Sequence, residues 1–293
     1  MPVPSHTYAM RSFAMYAGIL LASSALSSVA SAETPAEEVA KRLETITSKS
    51  ARARLDVPRF AFTSNLTWEA PSSLEEAMFG LPQITQLDKA KTIVGIVDPE
   101  TAFVTANLGE FSNCPNNGCA KSTPESWLRA TAVFEKVTGI WQPLAWSITS
   151  PIPGDSQVAA MADGIVPDKI ARNVAGADAV ALLFETTIAV PKTFAATVSK
   201  RAETVMLGSE LSERYLGAQV AKQITAWNLV FKVRDGVRAG VSKSGKLAWV
   251  AANVDAGQIK RPKAKPIPYR VFAIYELDGT DWKLVQLQFA TSV

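Results

Sequence analysis

Few side chains in this sequence could act as general acids or bases near neutral pH, because histidine is almost absent. The single histidine, His6, lies in the first 32 residues, which have the features of a cleaved leader. Without it, serine–histidine and cysteine–histidine mechanisms are excluded, and so are most zinc and iron sites. Proton transfer would fall to Asp, Glu, Tyr or Lys side chains with shifted pKa values. We therefore expect no metal site and no cofactor.

Carboxylates and tyrosines are the remaining candidates for catalysis. A cofactor-free isomerase would need an acid and a tyrosine together in one apolar pocket. The sequence offers Asp178, Glu185, Tyr215, Tyr269 and Tyr275, and their spacing does not show whether any two of them lie together. For Glu185 the solvated face of a helix is favoured over a buried position, and for Tyr215 a place at a rim or in packing is favoured over catalysis. The catalytic residues stay unknown.

The two cysteines are read as a structural pair. Cys114 and Cys119 flank Pro-Asn-Asn-Gly, which is strong turn chemistry. Two thiolates cannot fill a zinc site, and the spacing is not that of Cys-x-x-Cys redox catalysts. In an oxidising compartment we expect a disulfide, which closes a short loop and contributes about 2 kcal/mol.

The leader predicts export to the periplasm or the medium. Arg11 precedes the apolar run 13–26, and small residues end at Ala30-Ser31-Ala32, as in a cleaved signal peptide of residues 1–32. The run is too short to serve as a comfortable membrane anchor. The whole chain carries a formal charge of +3, and removal of the leader with its one arginine leaves +2. We expect no nucleic-acid partner. The basic loop 257–270 is interpreted as a solvated hairpin loop, the alternative being contact with anionic lipid headgroups or an acidic partner.

Two short sequence blocks recur along the chain and predict that it contains two copies of one domain. LAWVAANVD at 247–255 repeats TAFVTANLG at 101–109 with an offset of 146. RVFAIYELDGTDW at 270–282 repeats RATAVFEKVTGIW at 129–141 with an offset of 141. The offset changes because the first copy has a longer loop, the one that holds both cysteines. Insertions within a turn, with the flanking patterns kept, are typical of a duplication.

Each copy reads as helices followed by a sheet, which is the α+β class. Period-2 patterns predict a final meander of three antiparallel strands in each half, with Trp249, Ala251 and Asn253 on one face. The upstream pattern predicts a helix, a short strand and a second helix. The helices are expected within 35–55, 72–80, 177–190, 192–202 and 218–229, and the short strands at 59–64 and 204–209. Pro, Gly and Ser at 150–157 place the boundary between domains 33–152 and 158–293.

With these patterns the chain resembles the SnoaL-like branch of the nuclear transport factor 2-like superfamily. The residues that carry the resemblance are the final meander, AWVAANV…YRVFAIYELDGTDWKLVQLQFA, and the segment GSELSERYLG at 208–217. The resemblance implies two cone-shaped domains, in each of which a curved antiparallel sheet wraps a pocket that N-terminal helices cap. Members of this superfamily often pair through their sheets, so the two repeats are expected to pair within a monomer.

The resemblance also suggests where a ligand would bind. The last strand of this branch often reads Trp-x3-His-x-His, but here Gln286 and Gln288 take the histidine positions, which argues against catalysis. The expected ligand-binding residues are Tyr215, Trp249, Asn253, Arg270, Gln286 and Gln288. The sequence also allows a purely structural role for two of these residues. Asn253 would tie strands or copies together, and Arg270, like Arg129, would pair with acids on a solvated face.

Three hypotheses for the function follow. The favoured one is an exported, non-catalytic protein that binds a small apolar ligand, or a protein partner, in or around the cones. The alternative is a cofactor-free isomerase, cyclase or hydrolase that uses carboxylate and tyrosine chemistry. The third is a structural pseudo-dimer with filled cones and no ligand.

Overall fold

The computed structural model describes residues 33–47, 57–64, 66–71, 85–111, 123–124, 126–152, 169–174 and 176–291. Glu33–Val293 form one compact unit. In the part of the chain so described, no helix is both long and apolar enough to cross a bilayer. The predicted leader, the predicted helix at 72–80 and both cysteines lie outside these residues, so the expected disulfide stays a prediction.

Within the residues of the first half that the structure describes, the chain forms one α-helix and a seven-stranded sheet. Helix α1 (Pro35–Thr47) starts with a capping box, in which the Glu37 carboxylate accepts the Thr34 amide at 2.8 Å and the Thr34 hydroxyl accepts the Glu37 amide at 3.3 Å. The strands are β1 (Phe60–Thr63), β2 (Thr67–Glu69), β3 (Thr85–Leu87), β4 (Ile93–Asp98), β5 (Thr101–Glu110), β6 (Ser126–Val137) and β7 (Ile140–Thr149). Their order is β2-β1-β7-β6-β5-β3, and β4 also pairs with β5.

In the second half, the described residues form three helices and a six-stranded sheet. The helices are α2 (Asp178–Thr187), α3 (Pro191–Ala196) and α4 (Ala218–Thr225). The strands are β8 (Val205–Leu207), β9 (Arg214–Leu216), β10 (Leu229–Val241), β11 (Leu247–Gln258), β12 (Ile267–Asp278) and β13 (Asp281–Ala290). Their order is β10-β11-β12-β13-β8-β9. Pro191 occupies the first turn of α3, where its missing N–H costs nothing.

The registers of the two sheets repeat each other, which confirms the duplication. Asn107 lies opposite Arg129 between β5 and β6, and Asn253 lies opposite Arg270 between β11 and β12. A register shift follows Val133 in the β6–β7 pair, and an equivalent shift follows Ile274 in the β12–β13 pair. The pairing partners therefore keep both sequence offsets, and the two meanders have one geometry.

Two features of the sheets differ from the expectation. Each sheet is mixed rather than antiparallel, because β1 runs parallel to β7 and β8 runs parallel to β13. Such pairs join strands that a long excursion separates along the chain. Each meander is also extended by strands that the sequence did not reveal. These are β10, which pairs with β11 in the second half, and β3 and β4, which both pair with β5 in the first half. The polar Arg234-Asp235-Gly236 breaks the apolar alternation of β10, and the sheet absorbs it as an irregularity between Val233 and Val237.

Apolar residues fill three layers. Helix α1 packs on one face of the first sheet through Val39, Leu43 and Ile46. Helices α2, α3 and α4 pack on the second sheet in the same way. The third layer lies between the two sheets and includes Phe103 and Trp249. The described residues thus form a helix–sheet–sheet–helix arrangement in which both faces of each sheet are covered.

Aromatic rings of the middle layer lie over glycines of the neighbouring strand. Trp249 pairs with Gly240 and Phe103 pairs with Gly95 across equivalent strands. A Cβ atom at either glycine would clash with the ring. This use of glycine in a strand interior keeps the rings flat on the sheet, so that the opposite sheet can approach.

Candidate functional site

Five of the six residues expected to bind a ligand lie between the two sheets rather than inside a cone. They are buried, with Trp249 the most exposed at 8%. Trp249 stacks on Phe60 of the first sheet with ring centroids 4.3 Å apart. The five residues are Trp249, Asn253, Arg270, Gln286 and Gln288. Ligand binding at these residues stays a prediction, and their contacts, described next, are with the other half of the chain.

Arg270 holds the loop between β1 and β2 of the first half. Its Nε donates to the Thr63 carbonyl oxygen at 2.8 Å, and its Nη2 donates to the Leu66 carbonyl oxygen at 2.9 Å and the Thr67 hydroxyl at 2.6 Å. The guanidinium carbon lies 4.0 Å from the centroid of the Phe62 ring. The expectation that Arg270 lies on a solvated face is wrong, because the side chain is buried. Its guanidinium fork can bond several oxygens at once, as it does here.

Arg129 makes the reciprocal contact with the second half. Its Nη1 donates to the Gly208 carbonyl oxygen, and its Nη2 donates to the carbonyl oxygens of Glu210 and Glu213, the last at 3.2 Å. These carbonyls belong to the loop between β8 and β9. Burial lowers the pKa of Arg129 to about 10, so the group is still charged at neutral pH. Each half therefore supplies an arginine that fixes the equivalent loop of the other.

The two glutamines at the former histidine positions also serve the contact between sheets. Thr131 donates its hydroxyl proton to Gln288 Oε1 at 2.6 Å and accepts Gln286 Nε2 at 2.9 Å. Gln288 Nε2 donates to Thr149 at 2.8 Å and to Ser147 at 3.3 Å. Asn253 accepts Arg270 Nη1 at 3.2 Å, which fits the interpretation of Asn253 as a tie between strands. Gln286 Nε2, both amide atoms of Gln288 and Asn253 Oδ1 bond protein groups, whereas the buried Gln286 Oε1 has no hydrogen-bond partner among the described residues.

Of the six expected ligand-binding residues, Tyr215 lines a cavity inside the second cone, and the catalytic candidate Tyr269 lines the same cavity. The cavity has a volume of about 80 Å³. One water needs roughly 10–15 Å³ of such volume, so the cavity has room for roughly five to eight non-hydrogen atoms. Its aromatic lining comes from Tyr215, Trp227, Phe231, Tyr269 and Phe289, and its remaining lining from Met206, Gly208, Ser209, Glu213, Gln223 and Leu229.

The aromatic rings form one packed wall. Trp227 contacts Phe231 and Phe289 with centroids 5.0 and 5.5 Å apart. Tyr269 contacts Phe289 with centroids 5.8 Å apart. These rings come from the segment after α4 and from β10, β12 and β13, which meet at one end of the sheet. Because each ring packs against the next, we expect the wall to be largely formed before a ligand binds.

The polar end of the cavity is the loop between β8 and β9. Glu213 accepts the Glu210 amide at 3.0 Å, and a side chain at Gly208 would clash with the Glu213 carboxylate, so glycine is needed there. Burial raises the pKa of Tyr269, and the charges of Glu213 and Glu210 raise it further, while a hydrogen bond with Ser209 lowers it. This end of the cavity therefore combines hydroxyl groups with a carboxylate.

The other acid–base candidates lie elsewhere. Asp178 is exposed in the first turn of α2, and Glu185 forms an ion pair with Arg172 at 3.4 Å on the outer side of that helix. Tyr275 is fully buried in the core of the second cone, where burial raises the pKa of its hydroxyl. Lys260, Arg261, Lys263 and Lys265 of the basic loop are exposed. Among the described residues, no group of three or more His, Cys, Asp or Glu side chains could hold a metal ion.

Sequence reasoning missed most of the cavity. It noted the segment 208–217 but selected only Tyr215 from it, leaving out Ser209 and Glu213. The wall residues Trp227 and Phe231 flank the start of β10, the strand that the sequence did not reveal. The available signal was Trp-x3-Phe at 227–231, which places two large rings four residues apart just after a helix.

No protein-family model matches this chain, and no curated protein matches it in sequence. Solved structures match part of it in shape. A nuclear transport factor 2-like protein from Salmonella enterica serovar Typhimurium is 13% identical, with 39% of this chain and 86% of that chain covered and a TM-score of 0.31. A ketosteroid isomerase-like protein from Erwinia carotovora is 16% identical, with 40% and 92% covered and a TM-score of 0.29.

A third match is a nuclear transport factor 2-like protein of unknown function from Pseudomonas putida. It is 11% identical, with 38% of this chain and 80% of that chain covered and a TM-score of 0.30. Each of the three covers about two fifths of this chain.

Proposed function

We propose that this protein binds a small, largely apolar molecule in the aromatic cavity of its second half. The observation that carries the proposal is the cavity itself, in which a wall of packed rings faces a polar loop. Binding sites for small molecules are typically concave, mostly apolar and supplied with a few polar groups that fix orientation. A ligand of five to eight heavy atoms that buries its surface against these rings would bind with a Kd of roughly millimolar to micromolar.

The face between the sheets has a different role in this proposal. Its side chains contact the opposite sheet, so a ligand could reach Trp249 or Gln288 only if the sheets separated. We propose that this face holds the two repeats together and that the chain acts as a monomer. The leader features in the sequence support action outside the cytoplasm, in the periplasm or the medium.

The experiment that tests the cavity uses two glutamines of α4. Gln223 lines the cavity, whereas Gln219 is exposed on the same helix. We expect saturation-transfer NMR to show binding of at least one neutral probe among tert-butanol, cyclopentanone and phenol. Gln223→Trp should fill the cavity and abolish that binding, and Gln219→Trp should leave it unchanged. Binding that survives Gln223→Trp, or no binding of any probe to the unmodified protein, would reject the proposal and favour a purely structural role.

A cofactor-free enzyme is the second candidate, because Glu213 lies in the same cavity as Tyr215 and Tyr269. A carboxylate base beside phenolic donors suits proton abstraction next to a carbonyl group. The test is exchange of the α-protons of cyclopentanone for deuterium in D2O, followed by NMR. Accelerated exchange that Glu213→Gln removes would support catalysis, and exchange at the buffer rate would reject it.

A further inference from the structure

The cavity of the second half has a net negative lining. Among the described residues that line it, Glu213 is the one with a formal charge. Its carboxylate reaches the cavity because Gly208 has no side chain in the way and the Glu210 amide holds one of its oxygens at 3.0 Å. A carboxylate beside aromatic rings is a poor environment for an anion and a good one for a cation.

Two carboxylates act on the ring at this end of the cavity. The charges of Glu213 and Glu210 both raise the pKa of the Tyr269 hydroxyl, after the larger effect of burial. Arg129 is the opposing charge: the Glu213 carboxylate raises the pKa of Arg129, against the larger effect of burial. Among the described residues Arg129 does not line the cavity, and its Nη atoms bond carbonyl oxygens of the loop, so Glu213 is the charge that a ligand would meet.

The faces of aromatic rings carry negative partial charge and attract cations within about 6 Å of the ring centroid. Tyr215, Trp227 and Tyr269 line the cavity together with the Glu213 carboxylate. Resting on the function proposed above, we propose that the ligand is a small organic cation, an amine or quaternary ammonium ion with an apolar body. The rings would contact the apolar body and Glu213 would face the charge.

Three probes of similar shape test the charge preference on the full chain. Tetramethylammonium is cationic, tert-butanol is neutral and pivalate is anionic, and each has the compact size that the cavity admits. We expect NMR titrations to show that tetramethylammonium binds at least about tenfold more tightly than tert-butanol and that pivalate binds most weakly. We also expect added salt to weaken the binding of tetramethylammonium but not that of tert-butanol.

The outcomes separate this inference from the function on which it rests. If tert-butanol or pivalate binds as tightly as tetramethylammonium, the cavity is a binding site and the cation preference is refuted. If none of the three binds, the proposed function fails together with the inference. The ranking on the unmodified protein decides the question even if a variant does not fold.

A matched pair of substitutions tests whether Glu213 causes the preference for a cationic probe. Glu213→Gln keeps the size and the acceptor oxygen while removing the charge, so it should reduce tetramethylammonium affinity about tenfold and leave tert-butanol affinity within about twofold. Glu185→Gln makes the same chemical change in a residue that does not line the cavity, and it should alter neither affinity. An unchanged preference in Glu213→Gln would contradict the assignment of the charge to Glu213.

Discussion

Tyr275 and Phe134 occupy equivalent places in the two meanders and differ by one hydroxyl group. Each is fully buried in the apolar layer between its sheet and its helices. Within the described residues the Tyr275 hydroxyl has no hydrogen-bond partner. A buried polar group without a partner costs about 1–3 kcal/mol. The first half has Phe134 at this position and therefore buries no unpaired hydroxyl group there.

Replacement of Tyr275 by Phe should therefore raise the free energy of unfolding by about 1 kcal/mol, since it removes the unpaired hydroxyl and keeps the ring. Urea unfolding followed by circular dichroism measures the change, and Tyr215→Phe at the cavity rim is the control for loss of a tyrosine hydroxyl. A loss of stability in Tyr275→Phe would show that the hydroxyl has a partner after all.

The same residue predicts how stability depends on alkaline pH. Burial holds the pKa of folded Tyr275 above its ordinary value of 10.0. The unfolded chain releases the proton first, so the folded state loses stability as the pH rises from about 10 toward the higher folded pKa. Unfolding free energies measured between pH 9 and pH 11 should fall less steeply for Tyr275→Phe than for the unmodified protein. Equal slopes would contradict this assignment.

At the scale of elements, two loops are each held by an arginine from the other half. Arg129 bonds the loop between β8 and β9, which forms the polar end of the cavity, and Arg270 bonds the loop between β1 and β2. The two contacts are equivalent in the duplicated fold. Only the loop that Arg129 bonds touches the proposed binding site. Substituting Arg129 and Arg270 in turn therefore separates an effect on the position of that loop from a general loss of stability.

Replacement of either arginine by Lys should lower the free energy of unfolding by roughly 2 kcal/mol, because an ammonium group cannot bond three carbonyl or hydroxyl oxygens in a fork. Arg129→Lys should also weaken probe binding about tenfold, while Arg270→Lys should leave it within about twofold. Urea unfolding and NMR titration of both variants measure the two effects. Equal losses of affinity in the two variants would mean that the loop is not positioned by Arg129.

Much of the element scale could be predicted from the sequence. The alternation within and after the repeated blocks predicted the final three-stranded antiparallel meander of each half, which the structure shows as β5–β6–β7 and β11–β12–β13. Strand β10 was not predicted, because Arg234-Asp235-Gly236 interrupts its alternation of apolar and polar residues. A local sequence pattern does not show that a strand can continue through such an irregularity. The parallel strands β1 and β8 were recognised as strands, but their partners lie far away in sequence and only the tertiary structure reveals them.

The site was less predictable for a related reason. Alternation correctly placed Trp249, Ala251 and Asn253 on one face of β11. It could not show what covers that face, because both faces of each sheet carry apolar residues. The opposite sheet covers it here, and the cavity forms where loops and strand ends converge.

At the scale of the whole molecule, the two halves share hydrogen bonds as well as apolar surface. Arg201 donates to the Ile96 carbonyl oxygen at 3.1 Å, and Arg214 donates to the Lys91 carbonyl oxygen at 2.9 Å. Together with the arginine contacts and the glutamine layer, these bonds join elements that lie far apart in the chain. We therefore expect the two halves to unfold together.

Thr131→Val tests this coupling, since Thr131 accepts from Gln286 and donates to Gln288. The variant should lower the free energy of unfolding by about 2–3 kcal/mol, because it leaves buried amide groups unpaired. Tryptophan fluorescence and circular dichroism should still report a single transition. Thr186→Val on the exposed side of α2 is the control and should cost little. Two separate transitions would contradict the coupling of the halves.

The central claim is that the binding site is the cavity of the second half and not the face between the sheets. Trp227 lines the cavity, and Trp249 lies between the sheets, so their indole N–H resonances report on the two places. The direct measurement is a titration of 15N-tryptophan-labelled protein with tetramethylammonium and tert-butanol, with resonances assigned by Trp227→Phe and Trp249→Phe. We expect the Trp227 resonance to shift with probe concentration and the Trp249 resonance to stay unchanged. A shift of Trp249 without Trp227, or no shift of either, would contradict the central claim.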